Sequence, residues 1–492
     1  MISTFLAQAG QIVSENVTTN SLAQNIVYAS GTLGALVILA GLLLVDIGGV
    51  RRVNLFDTVI QKLIAFFIGF VVYFAIGFAI WNWQYYVAFE IDQPYWTAIK
   101  DWWLGGNLSG ALAQDMSLEE NPMSAALNNQ QIFIFFLACF AGIINVLIGL
   151  AVTERIKASA YFLISAVCAV VSSLLSWLTW GSTGPITNEG YHDFFGAGFV
   201  YVFAGAVALM LVRKLGQRPG MYSPHRIVGD YRSYNLGLTT IGLVLIITGL
   251  PFVILSCGFF FQPEGVEALF VGVNMSDTSI GVAFNNLGLA WAGGALTGAI
   301  IAYRTKKYIY TLLGPFAGYV VGSPGFDIYA PWEQFLVSAS APLVAYAVYE
   351  WTQKREFDEH KLIPLFLGVG SYGILMVGVL NWGTAGGGYF GVTEGDYAFQ
   401  HAEVNLLWQA IGLVVCIAAG LATGWVMTAI LGRNLGVSEE VQVAGYDATY
   451  WDIVHDPTPA PLATTNGETP AAVTAGDGEP GVADVRTTPP GP

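Results

Sequence analysis

Few residues in this chain could do chemistry, and none is arranged as a catalytic or metal centre. The five histidines (His192, His225, His360, His401 and His455) lie in different loops or at the ends of apolar runs, so a metal cluster would require distant loops to meet. The four cysteines, Cys139, Cys168, Cys257 and Cys416, fall inside apolar runs without CxxC spacing and read as packing residues. No P-loop, HExxH or GxSxG pattern occurs, so neither an enzyme nor a bound cofactor is indicated. What remains is recognition chemistry. Trp177 and Trp180 close one apolar run, and HDFFGAG begins just beyond them at His192. A tryptophan face attracts a desolvated cation, yet tryptophan at the end of a membrane span equally serves as an interface anchor. Asp193 has two compatible readings. It can cap a helix by accepting free backbone N–H groups, the larger effect, and it can help draw a cation to a nearby mouth.

Positioning such residues requires a bilayer. At 492 residues, 54% hydrophobic and 11% charged, the chain has too few ionisable groups to cover a soluble globule of its size. Long uncharged runs recur near 27–45, 63–89, 131–152, 158–180, 194–212, 236–261, 280–303, 308–326, 334–349, 362–382 and 404–432. Most reach the roughly 20 residues that a helix needs to cross the hydrocarbon core. The run after Lys307 is interrupted by Gly314, Pro315 and Gly318, which predicts a short or broken span. Eleven spans result, in an all-α polytopic membrane protein.

Basic residues then assign the two sides. Arg51 and Arg52, Arg155 and Lys157, Arg213 to Arg232, Arg304 to Lys307, Lys354 to Lys361, and Arg433 follow alternate spans, which predicts an outside N-terminus and a cytoplasmic C-terminus. The opposite loops are acidic, a surface that would concentrate cations or suit a high-salt habitat, and neither reading suggests nucleic acid as a partner. Dense glycines in GGALTGA (293–299), GVGSYG (368–373) and GAGFVYVFAG (196–205) predict close helix contacts. The organisation expected is a transmembrane channel domain over 1–432, a cytoplasmic C-terminal region over 433–456, and a Pro/Thr/Ala/Gly tail over 457–492 of disordered composition.

The order and spacing of several segments resemble the Amt/Mep/Rh family of ammonium transporters. They are GGVRRVN (48–54), FFLACF (135–140), TERIKASAY (153–161), TWG (179–181), HDFFGAGFVYVFAG (192–205), TLLGPFAGYVVGSPG (311–325) and LGVSEEVQVAG (435–445). The resemblance implies eleven transmembrane helices, arranged as two inverted five-helix repeats plus a C-terminal helix. It further implies a homotrimer in the plasma membrane, ammonium or ammonia as substrate, and a PII-type regulatory protein as a partner at the cytoplasmic face. Substrate-binding roles fall on Trp180, Phe136, Phe140 and Asp193, and a pore gate falls on Phe140 and Phe261, with Gly265 where the family supplies a serine hydroxyl.

Two departures follow from the same resemblance. The family's paired pore histidines fall on Tyr201 and, through DEHKLIPLFLGVGS (358–371), on Leu367. Leucine carries no proton, and a tyrosine with a reference pKa of about 10 is a poor relay at neutral pH. The expectation is an ammonium-recognising entrance above an apolar pore, or else a filled pore in a non-conducting ammonium sensor or regulatory paralogue.

Overall fold

A computed structural model describes residues 2–106, 124–219, 221–222, 234–261, 270–273, 276, 278–386 and 402–455. Apolar runs too long for a globular helix fold into eleven helical stretches: α1 (Ile2–Gly49), α2 (Arg52–Ala88), α3 (Ser124–Val152), α4 (Ala158–Thr179), α5 (Gly198–Leu215), α6 (Leu236–Leu255), α7 (Ile280–Thr305), α8 (Ile309–Gly322), α9 (Pro331–Lys354), α10 (Ile363–Leu380) and α11 (Leu406–Leu431). Eight are individually long and apolar enough to cross a membrane, and α7, α8 and α9 pack on one another to complete the bundle. Helix α8 is short, as its glycines and Pro315 predict, at 14 residues before a 3-10 turn at Ser323–Gly325. Helices α1 and α2 run beyond the uncharged stretches read from the sequence, because the charges that seemed to end them pair with each other. Lys62 Nζ lies 2.8 Å from the Asp46 carboxylate and donates to Thr153 Oγ1 at 2.8 Å. A buried charge is tolerated when paired and hydrogen-bonded in this way.

The five-helix halves are built by the same contacts. Helices α1 and α6 cross with backbones touching, since a Cβ on Gly41 would lie 2.6 Å from the Gly242 carbonyl and one on Gly34 would lie 2.7 Å from that of Gly249. Helices α2 and α3 meet at Gly69 and Gly142, and their counterparts α7 and α8 meet at Gly294, Gly298, Gly314 and Gly318. A π turn interrupts α2 at Tyr73–Gly77, and two others open α5 at Gly198–Val202 and α10 at Ile363–Val369. The last two contain Tyr201 and Leu367. Each inserts a residue into the helical register, a feature often found at functional sites.

At one end of the bundle, loops from both halves converge on buried carboxylates. Glu154 accepts from Arg51 Nε at 3.1 Å, from Asn54 and from Arg218, and Arg218 also holds Asp358 at 2.7 Å. Burial alone would raise the Glu154 pKa, but Arg218 and Arg51 more than offset it and hold it at about 2. Residues after α11 dock here too: Asp447 accepts from the backbone N–H groups of Phe56 and Asp57 at 3.0 and 2.8 Å, and Gly436 bridges Ile156. Met1–Ile453 is one compact unit, and a second begins at Val454, of which Val454 and His455 are described. The tail expected over 457–492 lies outside the described residues.

Candidate functional site

At the end opposite the Arg51–Glu154–Arg218 cluster, α2 to α5 surround an aromatic vestibule of ≈ 730 Å³. Its walls include Trp81, Phe133, Phe136, Trp180, Phe194 and Asp101. The rings form a continuous run, with centroids 5.9 Å apart for Trp81 and Trp180, 5.5 Å for Trp81 and Phe133, and 5.1 Å for the perpendicular pair Phe136 and Phe140. Trp180 terminates α4 in extended backbone, and its indole N–H donates to the Phe194 carbonyl at 3.2 Å, which fixes the ring plane. Beneath the vestibule lies a small chamber of ≈ 30 Å³, room for about two water-sized molecules. Phe136 and Trp180 line both spaces, whereas Phe140 lines the inner one with Ser172, Ser173 and Ser176. Each serine hydroxyl already donates to a carbonyl of α4, so its oxygen can still accept a hydrogen bond from the chamber.

Trp180, Phe136 and Phe140 are therefore brought together, and Asp193 sits behind them. Fully buried, Asp193 accepts from the backbone N–H groups of Ala197 and Gly198 at 2.8 and 2.7 Å and from the Tyr191 hydroxyl at 3.1 Å. It caps α5. Burial pushes its pKa up to about 6, against these hydrogen bonds and the neighbouring His192, which favour the ionised form. His192 in turn contacts Asp327 of the other half at 2.9 Å. Its burial lowers the imidazole pKa, but the Asp327 carboxylate overrides this and leaves it raised. The Phe261 side chain and Gly265 lie outside the described residues, and Cys257, just after α6, lines both spaces on that side.

Eight residues after Asp193, Tyr201 hydrogen-bonds through its hydroxyl to that of Tyr319 on α8. Its ring stacks on Phe366 at 5.1 Å and 24°, while Phe195 and Phe326 flank Tyr319 at 5.9 and 6.0 Å. Leu367, next to Phe366 inside the π turn, lies against α5, where a Cβ on Gly205 would come within 2.7 Å of its backbone nitrogen. The start of α10 mirrors that of α5. Glu359, eight residues before Leu367, accepts from the N–H groups of Leu362 and Ile363. Sequence reasoning missed Tyr319, Phe366 and Glu359. The available signal was a tyrosine inside an apolar span, whose hydroxyl must find a partner. Among the described residues, no cluster of His, Cys, Asp and Glu could hold a metal ion.

Inverted helical halves in a membrane bundle, with an aromatic mouth above a narrow core, define a transport-type membrane protein. The model of the Ammonium Transporter Family matches residues 28–454, and the chain belongs to this family. The ammonium transporter Amt2 of Archaeoglobus fulgidus is 25% identical over 458 residues, which cover 87% of this chain and 88% of that protein. Amt2 of Methanocaldococcus jannaschii is 26% identical, over 83% of this chain and 85% of its own length. Among solved structures, one named Sensor Amt Protein superposes with a TM-score of 0.65 at 16% identity, covering 88% of this chain and 99% of its own. Mep2 of Candida albicans superposes at 0.61 and 16% identity, covering 85% and 87%. These structures share the fold.

Proposed function

We propose that the protein moves ammonium or ammonia across the membrane, recruiting it against Trp180 and Phe136 and admitting it past Phe140. One observation carries this reading: Phe136 and Trp180 line both the vestibule and the chamber beneath it. A cation held on their faces stands at the threshold between water and the protein interior, where cation–π attraction reaches about 2 kcal/mol. Asp193 supports the site by holding the start of α5, which carries Phe199 against Trp180 at a centroid distance of 5.6 Å. Below, Tyr201, Tyr319 and Phe366 offer hydroxyls and rings with no base near neutrality. Bare ammonium would lose several kcal/mol of solvation there, so the species that crosses is neutral ammonia and transport is electroneutral. In keeping with the family, the protein assembles as a homotrimer in the cell membrane with its arginine-rich end in the cytoplasm, where a PII-type regulator docks.

The test is ammonia flux into proteoliposomes. Trp180→Ala raises the ammonium concentration for half-maximal uptake about tenfold, equivalent to ~1.4 kcal/mol, and Phe140→Trp abolishes flux. Ammonium-evoked current in the wild type would reject electroneutral passage. A second reading, an ammonium sensor, is favoured by the Tyr201–Tyr319 hydrogen bond, which joins α5 to α8 across the middle of the bundle. It requires ammonium binding that is sensitive to Trp180→Ala, with flux no greater than that of empty liposomes.

A further inference from the structure

The arginine-rich end holds a second vestibule that ammonia passage does not explain. It measures ≈ 460 Å³ and is lined by Lys306, Lys307, Lys361, His360, Tyr308 and Tyr349 over apolar walls from α1, α6 and α8. It is the inverted image of the aromatic mouth. The aromatic mouth is enclosed by Tyr28 midway along α1, the ends of α2 and α4, the start of α3, the segment before α5, and the segment after α6. The lysine-lined one is enclosed by the start of α6, the end of α7, the start of α8, the last turns of α9, the segment before α10, and the end of α1. The same architecture thus carries rings and a carboxylate at one mouth and ammonium groups at the other.

Those charges are poorly matched by the protein's own acids. Lys307 pairs with Glu350, and Asp46 is engaged by Lys62 and lies 3.5 Å from His360. Among the described residues, Lys306 and Lys361 have no carboxylate within ion-pair distance. Lys361 Nζ lies instead over the Tyr349 ring at 5.1 Å, and Glu359, one oxygen of which caps α10, and Asp358 act on it only through space. Burial lowers the Lys361 pKa. Both lysines also hold left-handed backbone, at φ 58° for Lys306 and 67° for Lys361, a conformation costly for residues with a Cβ. A positive-inside bias accounts for lysines near this face. It does not account for a half-buried ammonium on strained backbone with no carboxylate in ion-pair contact. The tyrosine hydroxyls add donors, and basic recesses between helices are suited to phosphate groups.

We propose that this vestibule binds a phosphate-bearing anion, held by Lys306, Lys307 and Lys361. The group can be carried by a soluble ligand or by the headgroup of an anionic lipid. The full chain is reconstituted in phosphatidylcholine nanodiscs and its unfolding temperature followed with inorganic phosphate, against chloride at equal ionic strength, and then in discs containing phosphatidylglycerol. Occupancy raises the unfolding temperature by about 2–4 °C. The rise disappears in the double variant Lys306→Gln, Lys361→Gln and persists in Lys354→Gln, an exposed lysine outside the vestibule. Lys306→Gln alone, at an exposed position, weakens phosphate binding at least threefold and guards against misfolding of the double variant. A rise with inorganic phosphate assigns a soluble ligand, and a rise with phosphatidylglycerol alone assigns a lipid. No rise with either probe, or a rise unchanged in both lysine variants, overturns the proposal.

Discussion

At Tyr201 the bundle buries a phenol, and a phenol in an apolar core must be answered by another polar atom. Tyr319 answers it, hydroxyl to hydroxyl, with Phe366 stacked on the Tyr201 ring. Removing one hydroxyl strands the other at a cost of about 1–3 kcal/mol, whereas removing both with shape retained is close to neutral. Tyr201→Phe and Tyr319→Phe should therefore each lower stability, and the double variant should lose clearly less than the sum, as read by thermal unfolding in a double-mutant cycle. Additive losses would show that the hydroxyls do not depend on each other. Tyr201 was singled out in the sequence, because HDFFGAGFVYVFAG resembles the family's segment closely enough to place it. Tyr319 was not. It comes from a helix 118 residues further on, and no periodicity within one span reveals which face of another it meets. The π turn in α10 adds a second obstacle, since an inserted residue lets Phe366 face Tyr201 beside the expected Leu367.

Between helices, glycine decides how closely two spans approach. The run GGALTGA announced close packing without saying against what, and adjacent glycines prove to serve different neighbours. A Cβ on Gly293 would lie 2.7 Å from the Phe335 carbonyl of α9, while one on Gly294 would lie 2.1 Å from the Gly314 carbonyl of α8. With Gly298 and Gly318, the latter pair forms reciprocal small-xxx-small faces on α7 and α8. The obstacle at each position is backbone, which cannot rotate away. Gly294→Val should force the helices apart and cost about 1–3 kcal/mol or more, the usual penalty of overpacking. Gly288→Ala, on the same helix with open space around it, should instead stabilise by about 0.5–1 kcal/mol. Unfolding temperatures of the two variants in one detergent test the contrast, and equal behaviour would mean that α7 does not pack on α8 through this face.

Across the whole molecule, the two halves and the segment after α11 are joined by the carboxylates at the arginine-rich end. The sequence showed Arg51, Arg155 and Arg218 as markers of sidedness, and the structure gathers them at one end of the bundle. Their burial was invisible in the sequence, because Glu154 and Asp358 lie about 200 residues apart in the chain and only the inverted packing brings both to Arg218. Glu154 is held at about 2 and Asp358 well below the usual carboxylate range, in each case because arginine outweighs the penalty of burial. Unfolded, they would titrate at about 4.3 and 3.9. Groups whose folded pKa is depressed contribute stability that is complete above the unfolded values and is lost as pH falls through the folded ones. The contribution of this cluster should accordingly stay level from pH 7 to about 5 and be lost between about 4 and 2. Since the raised pKa values of Asp193 and His192 add stability as pH falls towards about 5, it is read from the unfolding temperature below that pH, where Glu154→Gln should flatten part of the fall. Arg218→Ala should cost about 3–5 kcal/mol at neutral pH, since it leaves two carboxylates buried with fewer partners. The exposed Arg213→Ala should change stability by less than about 0.5 kcal/mol. If Arg218→Ala proved as mild as Arg213→Ala, the junction would contribute no more than a surface ion pair, and the halves would be held together by α1 against α6 and by the contacts of α5 with α8 and α10.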